Sequence, residues 1–353
     1  MLNIYAGSNA LEIIQKHGFK QELFTKMLGA SGGPKWFTLF ALDKYLFGDF
    51  FKGRSEELNL IGSSAGAFRF AALGQSDPVA AITRLATHYS QTVYSKNAKP
   101  NEITDKAKHL LKQVYGDTGV DELLNNEVVK AHFIVAKCHG LTAHESPLLQ
   151  MLGLGSSMVL NRINRKLIAS QYQRFVFHHP KSQLKVLDRF AFNDTYISLD
   201  QTNFKDALLA SGSIPLVMQA VKDISNAPKG TYRDGGIIDY HFDIGLSPDD
   251  GLILYPHFNT QPKAGWFDKS SKRSVDISNY KNVVMLTPSA EFIAALPYGK
   301  IPDRTDFTEM GSAMRISYWQ TVLNETERLA ESLEQMISTQ NISQIKPITE
   351  IIN

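Results

Sequence analysis

The chain has 353 residues, 43% of them hydrophobic and 20% charged, enough for a large buried core in a globular protein. Its 37 basic and 35 acidic residues give a formal net charge of +2, so no cationic excess drives binding to nucleic acid. The single cysteine, Cys138, excludes an intramolecular disulfide and any multi-cysteine zinc site, and it suits a reducing compartment.

The first residues, MLNIYAGSNALEIIQKHGF, lack the basic start and continuous apolar stretch of a secretory signal. No apolar run approaches membrane-spanning length. The expectation is a cytoplasmic protein, with peripheral membrane contact and signal-independent secretion both left open. Residues 9–17 read as a short helix ended by Gly18, and 24–33 as a strand running into a glycine turn. Pro34 then opens a helical pattern over 34–47. ELNLIG (57–62) is a second strand and AGAFRFAAL (65–73) a second helix. Two strand–turn–helix units in succession argue for parallel strands with right-handed crossovers.

A mostly helical stretch follows from Asp77 to about residue 126, then a strand at 127–137 and a helical segment over 147–172. RFVF (174–177), TYISL (195–199), GLILY (251–255) and NVVML (282–286) read as further strands, and 204–216 as a helix closed by a glycine–proline break. Residues 259–276 look like a surface loop. The segment 312–338 closes the pattern as a helix with Ile316, Trp319, Leu323, Ala330, Leu333 and Ile337 near one face. These elements imply one α/β domain with a helical insertion and a C-terminal helix.

Three short stretches carry chemistry. GSSAG fits G-x-S-x-G as Gly62, Ser63, Ser64, Ala65 and Gly66, between a strand and a small-residue helix. That context suits a sharp elbow with the central Ser64 at its tip, both glycines relieving clashes, and Ser63 pointing elsewhere. The bland alternative is a glycine-rich crossover turn. GASGGPKW (29–36) places Gly32 and Gly33 at a helix start, where their N–H groups could cradle an oxyanion or a phosphate. A phosphate loop of the Walker type needs glycine before its lysine and Ser or Thr after it, and Pro34 and Trp36 stand there instead. RDGG puts Asp234 on a tight turn before Gly235, where a partly apolar setting would raise its pKa toward that of a base; an ordinary hairpin turn is the alternative. No histidine spacing suggests a metal, but His241 and His257 follow Asp234 and leave a Ser–Asp–His order open.

Together these stretches resemble the patatin-like phospholipase family, which carries a glycine-rich oxyanion loop, a G-x-S-x-G elbow and a downstream Asp-Gly-Gly in that order. ASGSIP (210–215) resembles a fourth family block, and the likeness spans about residues 24–240, with 241–353 as a C-terminal extension packed on the core of a single domain, 1–353. The loop departs from the family pattern at Ala30, Ser31 and Trp36, leaving Gly32 and Gly33 as donors and Lys35 at the basic position. The resemblance implies a three-layer α/β fold with a mainly parallel central sheet, and a lipid acyl hydrolase of the phospholipase A or lipid esterase type. It implies Ser64 as nucleophile, Asp234 as base, Gly32 and Gly33 as oxyanion donors, and Lys35, Gly62, Gly66 and Gly235 in support. It also implies no metal or organic cofactor, and a phospholipid or other lipid ester as substrate. Two alternatives stand beside it: a catalytically weak lipid-binding or regulatory protein, and a Ser–Asp–His hydrolase using His241 or His257. Residues 148–168 join an apolar stretch to Arg162, Arg165 and Lys166, as a mobile lid, a membrane-touching helix or an ordinary core helix would.

Overall fold

The computed structural model describes residues 1–248 and 251–352. The chain starts with strand β1 (Leu2–Ala6), helix α1 (Ser8–His17) and strand β2 (Phe24–Gly29). The helix expected over 34–47 is divided into a 3-10 stretch, Gly33–Leu39, then α2 (Phe40–Tyr45) and a π-helical turn, Leu46–Phe50. The cause is packing: Pro34, Trp36, Phe37, Thr38 and Leu39 are all buried, and an α-helix with one apolar stripe cannot bury successive residues on every side. β3 (Leu58–Ser63) and α3 (Ala65–Leu73) follow as the sequence predicts.

Three helices, α4 (Pro78–Ser90), α5 (Pro100–Tyr115) and α6 (Gly119–Leu124), form the insertion before β4 (Val129–Cys138). Next come α7 (Pro147–Ile163), β5 (Tyr172–His178), β6 (Lys185–Leu187), β7 (Thr195–Ser198) and α8 (Phe204–Ser211). β8 (Val221–Lys222), β9 (Thr231–Asp234), β10 (Gly245–Ser247), β11 (Leu252–Pro256) and β12 (Val283–Pro288) are separated by loops and single turns. The chain ends through α9 (Ala290–Ala295), α10 (Asp306–Glu309), α11 (Ser312–Glu325), α12 (Glu327–Thr339) and β13 (Ile345–Pro347). The single helix expected over 312–338 is thus broken at Thr326. This buried hydroxyl donates to Leu323 O at 2.7 Å and accepts the Ala41 N–H at 3.3 Å, tying the joint to α2.

The fold is α/β, with one large, mainly parallel central sheet in the order β13-β1-β12-β11-β2-β3-β4-β5-β7. Its middle strands, β12, β11, β2, β3 and β4, all run parallel. They are nearly continuous apolar runs, as strands covered on both faces must be. The segment after residue 240 contributes strands to this sheet, with β11 seated between β2 and β12. No helix among the described residues is long and apolar enough to cross a membrane.

α3 is fixed to its surroundings by two contacts. A Cβ on Gly66 would lie 1.8 Å from Gly29 O, so only glycine lets the helix start lie against β2. One turn further on, Arg69 donates from Nε and Nη2 to the Asp43 carboxylate of α2 at 2.8 and 2.6 Å, with both side chains buried. Burial raises the Asp43 pKa and Arg69 pulls it down again, so the aspartate depends on its partner to stay charged. Arg69→Met strands a buried carboxylate and should cost about 3–5 kcal/mol of stability, read by urea unfolding. Asp43→Leu combined with Arg69→Met should recover most of that loss.

Candidate active site

β4 brings the two candidate catalytic residues together. β3 lies along the first part of β4 and ends with Ser63 opposite Ile134. β9 runs antiparallel along the second part and ends with Asp234 opposite Val135. β5 holds the other edge of β4 over His132–Cys138, so β3 and β9 share one edge and run head to head. The residues at the two meeting ends are Ser64 and Asp234, and Ser64 Oγ donates to Asp234 Oδ2 at 2.7 Å.

Ser64 precedes α3 with φ 54° and ψ −122°, a conformation that L-residues rarely adopt and that stores strain. Its N–H donates to Ser211 Oγ at 3.0 Å, and Ser211 Oγ donates onward to Ile134 O at 2.8 Å. A Cβ on Gly62 would fall 2.5 Å from the Gly66 backbone, which accounts for glycine at both ends of the turn. Ser63 faces away from the cleft, its hydroxyl accepting from Ser31 Oγ at 3.0 Å.

Asp234 is held from three sides. Its N–H donates to Ser213 O at 3.1 Å, and its Oδ1 accepts the Gly236 N–H at 2.7 Å. A Cβ on Gly235 would meet Ile134 O at 2.1 Å, so that glycine sets how closely the turn approaches β4. ASGSIP therefore grips both candidates: Ser211 holds the backbone of one, Ser213 that of the other, and Ile214 and Pro215 line the cleft. Burial pushes the Asp234 pKa up from 3.8 to about 6, against the lowering pull of the bonds from Ser64 and Gly236.

The glycine loop sits beside this pair. Gly32 and Gly33 line the cleft, and their N–H groups have no hydrogen-bond partner among the described residues. Gly33 has φ 56°, which favours glycine. Ala30, Ser31 and Trp36 of this loop are each buried or anchored. Ser31 donates its N–H to Tyr240 O at 2.9 Å and its hydroxyl to Ser63, Ala30 is buried, and Trp36 is a buried anchor against Phe37. Phe37 in turn packs edge-on against Trp319 of α11. Lys35 lines the cleft and pairs with Asp303 at 3.0 Å.

The cleft is open to solvent, with a cavity volume of about 90 Å³. Ile214, Pro215, Ile237 and Trp266 give it apolar wall. Lys269 and Arg304 add two cations that make no hydrogen bond or ion pair through their charged heads among the described residues. The Lys269 ammonium lies 4.2 Å from the Tyr240 ring centre. Its pKa falls to about 8, through desolvation first and then through the positive Arg304 and Lys35. Neither cation, nor Tyr240, Trp266 or Asp303, carried a motif signal in the sequence.

His241 and His257 do not join the pair. Their rings pack against each other at 4.4 Å, and His241 Nδ1 accepts the Lys263 N–H at 3.0 Å. Neither lines the cleft or bonds to Ser64 or Asp234. Burial lowers both pKa values, that of His257 to about 3. No group of three His, Cys, Asp or Glu able to hold a metal occurs among the described residues.

No family model and no curated protein matches the chain. Among solved structures, VipD from Legionella pneumophila matches at 12% identity with a TM-score of 0.34, over 88% of this chain and 67% of that one.

The raised Asp234 pKa has a cost that can be measured. The folded state keeps this proton up to about pH 6, whereas the unfolded chain releases it near 3.8. Between those values the folded state binds more protons, so this group's contribution to stability falls as pH rises. The rise corresponds to about 3 kcal/mol. Asp234→Asn should therefore be more stable than the parent at pH 7, by up to that amount, and the difference should vanish below about pH 4. Urea unfolding at both pH values is the check.

Proposed function

We propose that the protein is a lipid acyl hydrolase that cleaves carboxylic ester bonds through a Ser64–Asp234 dyad. The observation that carries this reading is the 2.7 Å bond between Ser64 Oγ and Asp234 Oδ2, made by a serine in a strained turn at a helix N-terminus. The carboxylate bonds the hydroxyl directly, with no imidazole between them.

In this mechanism Asp234 Oδ2 takes the Ser64 proton as Oγ attacks the ester carbonyl carbon. The Gly32 and Gly33 N–H groups receive the oxyanion, and the dipole at the start of α3 adds favourable potential. The C–O bond to the leaving alcohol breaks as Asp234 returns the proton to it, leaving an acyl-enzyme. Asp234 then deprotonates a water that attacks the acyl carbon, and the proton returns to Ser64 Oγ as the carboxylic acid leaves. No step draws on a metal or an organic cofactor. Ile214, Pro215, Ile237 and Trp266 suit an acyl chain, and Lys269 and Arg304 suit an anionic head group, which favours a phospholipid or related lipid ester.

Two other readings are separated by the same experiments. Ser64→Ala should lose at least about 10³-fold in ester hydrolysis and all labelling by a fluorophosphonate. Asp234→Asn should lose hydrolysis to a similar degree, while His241→Gln and His257→Gln should retain most of it. Loss through either histidine would favour a triad. A folded parent with neither labelling nor turnover would favour a lipid-binding or regulatory protein.

The pH profile is a further check. The base must be ionised, so kcat/KM should rise about tenfold per pH unit below about 6 and level off above it. A profile flat down to pH 4 would rule out Asp234 as the base.

A further inference from the structure

α7 is built inside out. Its buried face consists of Gln150, Gly153, Ser157 and Asn161, while Leu148, Met151, Leu152, Met158, Val159 and Ile163 are exposed. At about 100° per residue the six apolar side chains fall within an arc of about 140°, and the buried four occupy the opposite side. Leu148 and Ile163 are 63% and 71% exposed, and these six are among only fifteen exposed large hydrophobics in the described residues. A helix that packs on a protein core in water has the reverse pattern.

The buried polar face is fully engaged, so the helix cannot simply roll over. Gln150 Nε2 donates to His144 O at 2.9 Å, and Ser157 Oγ donates to Gln171 Oε1 at 2.7 Å. Gly153 lets the helix lie against 141–142, where a Cβ would come 2.8 Å from the Thr142 nitrogen. Two further bonds tie α7 to the cleft. Gln150 Oε1 accepts the Leu216 N–H at 2.5 Å, next to the cleft residues Ile214 and Pro215. Asn161 Nδ2 donates to Asp268 Oδ1 at 2.8 Å, between the cleft residues Trp266 and Lys269.

Charge indicates the occupant. Residues 146–170 contain Arg162, Arg165 and Lys166 and no Asp or Glu. Arg165 is buried against Asp268, but Arg162 and Lys166 are exposed, and Arg162 falls inside the apolar arc. A second copy of the helix would bury Arg162 with no carboxylate on that helix to meet it. Anionic head groups meet that charge while their acyl chains take the apolar side chains.

We propose that α7 docks the protein on an anionic lipid surface, its apolar arc among the acyl chains and its two free cations at the head groups. The inverted face stands on its own; the choice of a bilayer as occupant also rests on the reading of the cleft as a lipid hydrolase site.

The test uses vesicles of ether-linked lipids, which carry no ester to cleave, made of phosphatidylglycerol with phosphatidylcholine or of phosphatidylcholine alone. The full chain should co-sediment with the anionic vesicles. Leu152→Glu with Val159→Glu should lower that partitioning at least tenfold without lowering the melting temperature. Arg162→Glu with Lys166→Glu keeps the apolar face and should weaken binding to the anionic vesicles alone. Failure of the parent to bind anionic vesicles, or binding unchanged in the first variant, overturns the proposal. So does a dimer that the first variant dissociates, in a protein that binds no vesicle. Docking without hydrolysis would count against the proposed function only, and hydrolysis of soluble esters without docking against this inference only.

Discussion

The site depends on one short length of backbone, Ile134–Val135 of β4, whose free edge receives two strands from opposite directions. β3 ends opposite the first residue and β9 opposite the second, and the turns beyond those ends bring hydroxyl and carboxylate to bonding distance. Ile134 O also accepts from Ser211, which holds the Ser64 N–H, and it is the atom that a Cβ on Gly235 would meet first. A register slip of one residue on either side would move a side chain to the opposite face of the sheet and abolish the contact. The pairing pattern thus places Ser64 beside Asp234, and the side chains then refine the contact.

What this arrangement costs is local and what sustains it is spread through the fold. Ser64 is held in a rarely populated conformation, and Asp234 is buried with no salt bridge among the described residues. Opposing these costs are the continuous buried strands, the Asp43–Arg69 clamp on α3, and the aromatic stack of Trp36, Phe37 and Trp319 behind the glycine loop. The glycine loop over 29–36 is therefore firmly supported, at Ser31 by hydrogen bonds and at Trp36 by packing.

Much of this was legible in the sequence because it depends on local rules. G-x-S-x-G between a strand and a helix pointed to the elbow, and Ala65–Leu73 matches the expected helix residue for residue. The order of the three glycine-bearing stretches pointed to the pair that the structure brings together. Long-range pairing was not legible. Nothing local in IKP (345–347) marks it as a strand, since it becomes one only by lying beside β1. Lys269 came from a segment read as a surface loop, and Arg304 from one that carries no motif. Both reach the cleft through tertiary folding alone. The division of 34–47 and the break at Thr326 had the same origin, a buried environment on several sides overriding helical periodicity.

The neighbours of β1 have a consequence for how the molecule assembles. Residues 2–6 lie between β12, more than 270 residues later, and β13, more distant still. β2, which leads into the glycine loop, likewise waits for β11 on one of its edges. During synthesis the first strands therefore emerge with their final partners not yet made, and closing loops of this length is slow. Until then their unpaired backbone edges are open to wrong pairing. The cleft is complete only once β11, β12 and the segment carrying Asp303 and Arg304 are in place, so a growing chain long enough to contain both Ser64 and Asp234 still lacks part of its cleft wall.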